Sequence, residues 1–132
     1  MPHTMPLISI VDDDLSVCRA VRRLVQSAGY TAETFASARE FLESSPSGRT
    51  ACLVLDIQLD GMSGFELSER LAEDRTAIPI IFITAHDDAL TRARVRRAGV
   101  AAYLTKPFDE QALLHAIATA IDGAPVSSRP AG

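Results

Sequence analysis

The stretch "ACLVLD", Ala51 to Asp56, runs five apolar or small residues straight into a carboxylate. A run of this length bounded by polar residues reads as a strand. Its hydrophobicity is continuous rather than alternating, which means that both faces of the strand are covered. Working outward, Leu7 to Val11 ("LISIV") repeats the pattern and ends on Asp12, Asp13 and Asp14. Ile78 to Ile83 ("IPIIFI") repeats it again before Thr84, with Pro79 near the start, where a missing N–H does least harm. Tyr30 to Phe35 and Ala101 to Leu104 complete a set of five expected strands.

Helical signals fill the intervals. Val17, Val21, Leu24, Val25 and Ala28 recur at helical spacing, and Gly29 stands where a glycine closes a helix. Ser37 with Glu40, and Ser63 with Glu66, form capping boxes that open two further helices, the second running to about Ala72. Asp87 or Asp88 opens a fourth, which Gly99 ends. Its run "DALTRARVRRA" is poorly amphipathic, with Arg92, Arg94, Arg96 and Arg97 spread around it and a narrow apolar stripe of Leu90, Ala93 and Ala98. Asp109 opens a fifth helix carrying Leu113, Leu114, Ile117 and Ile121. The stretch Ser44 to Thr50 reads as a loop. Strands alternating with helices, each strand covered on both faces, make an α/β fold: a doubly wound, five-stranded parallel sheet with five helices and expected strand order 2-1-3-4-5. The folded domain is expected over 7–121, with 122–132 a flexible tail or a truncated linker.

The bulk properties narrow the function classes. One domain fits in 132 residues, and 47% hydrophobic content with 23% charge is ordinary for a packed core. A net charge of −4 argues against a nucleic-acid surface spread over the domain, so no direct nucleic-acid contact is expected. Cys18 and Cys52 fall in apolar patterns and read as reduced core thiols. There is neither a signal-peptide pattern nor an apolar run of membrane-spanning length, and a cytoplasmic location without membrane contact is expected.

Polar chemistry sits just past the strand ends: Asp12 and Asp13 after the first, Asp56 after the third, Thr84 after the fourth and Lys106 after the fifth. In an open parallel sheet, ligands bind outside those ends, at the point where strand order reverses. The residues would therefore share one pocket. Like charges at 4 Å repel by about 1 kcal/mol in water and by more near a protein surface, so something must offset the acidic run. Mg²⁺ is the expected cation, a hard ion that takes oxygen ligands, with Mn²⁺ possible. The structural alternative is that the acids only cap a helix and open a turn.

These residues carry a family resemblance. "VDDD" (Val11 to Asp14), "LVLDIQLDGMSG" (Leu53 to Gly64), "FITAHDD" (Phe82 to Asp88) and "YLTKPF" (Tyr103 to Phe108) resemble the receiver domain of two-component response regulators. The resemblance covers about Leu7 to Ile121 and is closest to receivers that precede a helix-turn-helix output domain. It implies a CheY-like, flavodoxin-like fold and a signalling switch rather than an enzyme acting on other substrates. It also implies phosphoryl transfer from a sensor histidine kinase to Asp56. Asp13, Asp56 and the backbone carbonyl of Gln58 would hold Mg²⁺, with Asp12 acting through water. Lys106 would pair with Asp56 and later with a phosphoryl oxygen, and Thr84 would donate its hydroxyl to that group. Tyr103 would turn inward in response, changing the surface of the fourth helix, fifth strand and fifth helix. That surface would reach a downstream partner or output domain, or a second copy in a phosphorylation-dependent homodimer. Gln58 and His86 would border the phosphoryl group and tune its hydrolysis. Pro107 would follow a cis bond. The chain departs from the family in carrying Leu59 and Asp60 where Met-Pro is common.

Two rival readings remain. One is a receiver-like module that binds partners without phosphorylation. The other is a phosphohydrolase of the haloacid dehalogenase type, whose "DxDxT" spacing is approached by Asp12 and Asp14 with Ser16 in the Thr position.

Overall fold

The computed structural model describes residues 5–44 and 48–123. Its elements alternate as β1 (Leu7–Val11), α1 (Leu15–Ser27), β2 (Thr31–Phe35), α2 (Ala38–Ser44), β3 (Thr50–Asp56), α3 (Gly64–Glu73), β4 (Ile80–Thr84), α4 (Ala89–Ala98), β5 (Ala102–Thr105) and α5 (Glu110–Gly123). The five strands form one parallel sheet in the order β2-β1-β3-β4-β5. β1 and β3 are therefore neighbours although α1, β2 and α2 separate them in sequence. Chain direction across the sheet reverses between them, and their carboxyl ends frame the crevice.

The uniform apolarity of β3 follows from what lies above and below it. Leu53 and Leu55 join a core with Phe41 of α2, Leu67 and Leu71 of α3 and Phe82 of β4. Cys52 and Val54 point the other way, into a core with Val21 and Val25 of α1 and Leu113 and Ile117 of α5. Successive side chains of a strand point to opposite faces, so a strand with helices on both sides must be apolar throughout. Burying one such side chain is worth roughly 1.5–3 kcal/mol.

Helix starts largely follow the capping signals. Ser63 and Glu66 form a complete capping box, and Asp88 caps α4 by accepting the Thr91 N–H at 2.7 Å. Asp109 accepts the Ala112 N–H at 2.9 Å at the start of α5. The Ser37–Glu40 box is only half formed. Glu40 donates its N–H to Ser37 Oγ (3.1 Å), but its carboxylate accepts the N–H of Ala36 (3.1 Å) rather than that of Ser37. Gly29 (φ 97°) and Gly99 (φ 68°) follow α1 and end α4 in left-handed conformations.

Four expectations need correction. β4 starts after Pro79 rather than including it: Pro79 contributes its carbonyl to Leu53 N–H (2.9 Å), and it has no N–H with which to continue the ladder. β5 is shifted one residue, to Ala102–Thr105. On α4 the anchoring residue is Val95, at 8% exposure, whereas Leu90 is 71% exposed and Ala98 is exposed. Leu90 lies about 140° around the helix from Val95, on a face that points away from the core. α5 runs to Gly123, past the expected boundary at 121. The remainder of the tail, 124–132, and residues 45–47 of the loop after α2 lie outside the described residues.

Candidate functional site

Asp12 leaves the end of β1 with its N–H still donating to Phe35 O of β2 at 3.0 Å, so its backbone is fixed at the sheet edge. Its side chain is wholly buried. Oδ1 accepts the Asp14 N–H at 2.8 Å, and Oδ2 accepts a hydrogen bond from Lys106 Nζ at 2.9 Å. Asp13 is exposed beside it. Asp14 takes a different job: its carboxylate accepts the Ser16 N–H at 2.9 Å and caps α1. The carboxylate that a "DxDxT" reading needs as general acid is thus occupied at a helix start.

Asp56 ends β3 and is 4% exposed. Its Oδ1 accepts the Gln58 N–H at 3.0 Å, and its Oδ2 accepts from Lys106 Nζ at 3.2 Å. Lys106 therefore bridges two buried carboxylates from adjacent strands, Asp12 as well as the expected Asp56. Its backbone is pinned by an N–H bond to Thr84 O (2.7 Å), and the Lys106–Pro107 peptide is cis.

One ammonium does not balance this charge. Carboxylate oxygens of Asp12, Asp13 and Asp56 lie within 4.8 Å of one another. Burial, augmented by the charge of Asp12, raises the Asp56 carboxyl above the usual carboxylate range despite the Gln58 N–H and Lys106. Burial works against the Lys106 ammonium, but its bonds to Asp12 and Asp56 outweigh that and raise it above an ordinary lysine. An all-oxygen donor set with surplus negative charge fits a hard divalent cation, Mg²⁺ first and Mn²⁺ second. Neither cysteine competes for it. Burial first, then the charge of Asp12, pushes the Cys18 thiol up to about 11, and burial alone pushes Cys52 to about 12.

Thr84 ends β4 fully buried, one residue beyond the Asp56–Ile83 pair of the β3–β4 register. Its Oγ1 accepts the His86 N–H at 3.0 Å, so the hydroxyl is engaged with its own loop. Gln58 and His86 are both exposed in the two loops that flank the carboxylates. Tyr103 of β5 is half-buried and stands apart from the acidic cluster, its hydroxyl donating to Asp87 Oδ1 at 2.9 Å.

Two features escaped the sequence reading. Gly64 packs directly under the Asp56 loop. A Cβ there would fall 2.5 Å from Asp56 O and 2.8 Å from Ile57 Cα, closer than real side chains come. Its N–H donates to Ile57 O at 2.9 Å, which ties the start of α3 to the residue after Asp56. Phe65 then meets Phe82 edge-to-face at 5.0 Å, and Arg94 of α4 lies 4.1 Å over the Phe65 ring. The only signal in the sequence was a glycine at the first helical position, where other residues favour the helix more. The second feature is Asp87, read as a possible helix cap but instead receiving Tyr103 and, at 2.9 Å, Arg92 Nη1.

The family described as "Response regulator receiver domain" matches residues 8–118. The chain is 40% identical over 119 residues to Nodulation protein W of Bradyrhizobium diazoefficiens, covering 90% of this chain and 52% of that protein. It is 42% identical over 119 residues to Response regulator protein TmoT of Ectopseudomonas mendocina, covering 90% and 54%. Among solved structures, response regulator StyR superposes with a TM-score of 0.85 at 44% identity, covering 94% of this chain and 63% of that one. The chain thus spans about half the length of the curated relatives it matches. No helix among the described residues is long and apolar enough to cross a membrane. Five parallel strands in this order, an acidic cluster at their carboxyl ends and a match over most of the sequence agree with one another, and the chain belongs to the response regulator receiver domains of two-component systems.

Proposed function

We propose that Asp56 is the phosphoacceptor of this receiver and that a sensor histidine kinase is the donor. The observation that carries this reading is the Lys106 bridge to Asp12 and Asp56, at 2.9 and 3.2 Å, beside a cluster of three carboxylates. An Asp56 carboxylate oxygen attacks phosphorus, the P–N bond to the donor imidazole breaks, and a mixed acyl phosphate forms. Asp13, Asp56 and the Gln58 carbonyl would hold Mg²⁺, with Asp12 acting through water. The ion would supply charge neutralisation at the phosphoryl oxygens. Lys106 passes from Asp56 to a phosphoryl oxygen, keeping a positive charge where negative charge accumulates.

Thr84 then exchanges its bond from His86 N–H for one to the phosphoryl group, and Tyr103 follows it inward. The surface of α4, β5 and α5 changes and is read by a downstream partner, an attached output domain of the helix-turn-helix kind, or a second copy of the chain. Gln58 and His86 flank the acceptor and set how readily water attacks it. The chain acts on itself only, in the cytoplasm, with 122–132 serving as tail or linker.

The test is intact-mass measurement after incubation with acetyl phosphate and Mg²⁺. A single added phosphoryl group is expected, absent without metal and absent in Asp56→Asn. Uptake that persists in Asp56→Asn would overturn the assignment.

A further inference from the structure

We propose that Asp87 is a positioning residue that clasps Tyr103 in its outward position, so that this receiver is held in its resting state by a bond that phosphorylation must break. The inference rests on the switch role of Tyr103 proposed above and adds what opposes it.

The clasp is a three-way contact. The Tyr103 hydroxyl donates to Asp87 Oδ1 at 2.9 Å, and Arg92 Nη1 donates to the same oxygen at 2.9 Å. One carboxylate oxygen thus ties β5 to the first turn of α4. The neighbouring Asp88 is committed to capping that helix through Thr91 N–H at 2.7 Å, so the loop from Thr84 to Asp88 is anchored at its far end. At its near end, Thr84 Oγ1 accepts the His86 N–H at 3.0 Å. A Thr84 hydroxyl drawn toward a phosphoryl group releases His86 N–H, and the residue next to His86 is Asp87. The two events are adjacent along the chain: whatever pulls on Thr84 pulls on the clasp.

The electrostatics of the contact follow from the same geometry. Burial and the bond to Asp87 together push the Tyr103 phenol up to about 12, while Arg92 first and Tyr103 second hold the Asp87 carboxyl below its ordinary range. The clasp is also light. Asp87 and Arg92 side chains are 43% and 46% exposed, and exposed ion pairs contribute little to stability. A light bond suits a switch, because two states separated by a small free energy respond to a modest stimulus.

The chain offers a clean probe. It contains two tyrosines and no tryptophan, so uniform 3-fluorotyrosine labelling gives two ¹⁹F resonances, and Tyr103→Phe assigns them. With Asp87→Ala, the Tyr103 resonance of the unphosphorylated protein should move toward the position that BeF₃⁻ and Mg²⁺ produce in the wild type, reflecting a roughly three- to tenfold larger inward population. Asp87→Asn keeps an acceptor oxygen and should largely restore the wild-type resonance, which a merely structural defect would not. Acetyl phosphate uptake should be faster in Asp87→Ala than in wild type. A Tyr103 resonance unmoved by Asp87→Ala overturns the clasp, as does an unchanged uptake rate with a moved resonance. If BeF₃⁻ binds the wild type without moving Tyr103, the switch role of Tyr103 fails instead, and the clasp falls with it as a brake. If neither BeF₃⁻ nor acetyl phosphate modifies the wild type, the phosphoacceptor reading is what has failed, and the clasp then has no switch to hold.

Discussion

The acidic pocket and the start of α4 both follow the carboxyl ends of strands but are built in opposite ways. In the pocket, Asp12 and Asp56 are almost inaccessible and each is held by a backbone N–H as well as by Lys106. On α4, one residue, Val95, is buried, and the tie to β5 runs through the half-exposed Asp87. The lesson is a division of labour. Under the proposed roles, groups assigned to a small charged ligand are over-determined by backbone bonds and burial, whereas groups assigned to the switch are held by few contacts near water.

Mutations can break or sharpen this contrast. The largest effect is expected in the pocket. Lys106→Met removes the cation that both buried carboxylates share, and phosphoryl uptake from acetyl phosphate should slow by roughly 10²–10³, as for other losses of a transition-state donor. Gly64→Ala should lose about 1–3 kcal/mol in urea unfolding, because the added methyl collides with backbone rather than with a flexible side chain. If that variant is as stable as wild type, the pocket floor is less rigid than described. On the other side of the comparison, Val95→Ala should lose about 1.5 kcal/mol, near 0.8 kcal/mol for each methyl removed, through the sole buried anchor of its helix. Leu90→Ser, about 140° around the helix from that anchor and 71% exposed, should change stability by less than about 0.5 kcal/mol.

The charge imbalance adds a pH-dependent test. The Asp56 carboxyl is raised in the folded state, so the native protein binds its proton more tightly than the unfolded chain does. Stability from this group is therefore present at low pH and is lost as pH rises through the folded value. In metal-free buffer at neutral pH, Asp56→Asn should melt at a higher temperature than wild type, with the gap closing on acidification. Mg²⁺ should raise the wild-type melting temperature more than that of the variant. A metal-free variant that melts below wild type at neutral pH would contradict the imbalance.

Much of this architecture was legible in the residues because strands covered on both faces leave an unmistakable run of apolar side chains. Ala51 to Leu55 reads as a buried strand without reference to anything else, and three carboxylates, a hydroxyl and a lysine at strand ends place the pocket once strand order is known. What could not be read depends on contacts across the fold. Whether Lys106 meets one aspartate or two is decided by the β1–β3 spacing, and whether Gly64 touches Asp56 O is decided by the entry of α3. The buried face of α4 is hard to read for a related reason: alanines and arginines give a weak periodic signal, and Leu90 competes with Val95, the single residue that selects a face. Asp87 read as one of two candidate caps because its partner on β5 is sixteen residues away.

The stacked guanidinium of Arg94 has a consequence beyond packing. It rests on a ring whose neighbour in the chain is packed against the carbonyl of Asp56, so one line of contacts through Phe65 and Gly64 joins α4 to the Asp56 loop. Coupling of binding free energies is reciprocal. A downstream protein that grips α4 more tightly in the loaded form must, by the same amount, tighten the hold on a phosphoryl mimic, so whatever reads the message also helps decide how firmly it is written.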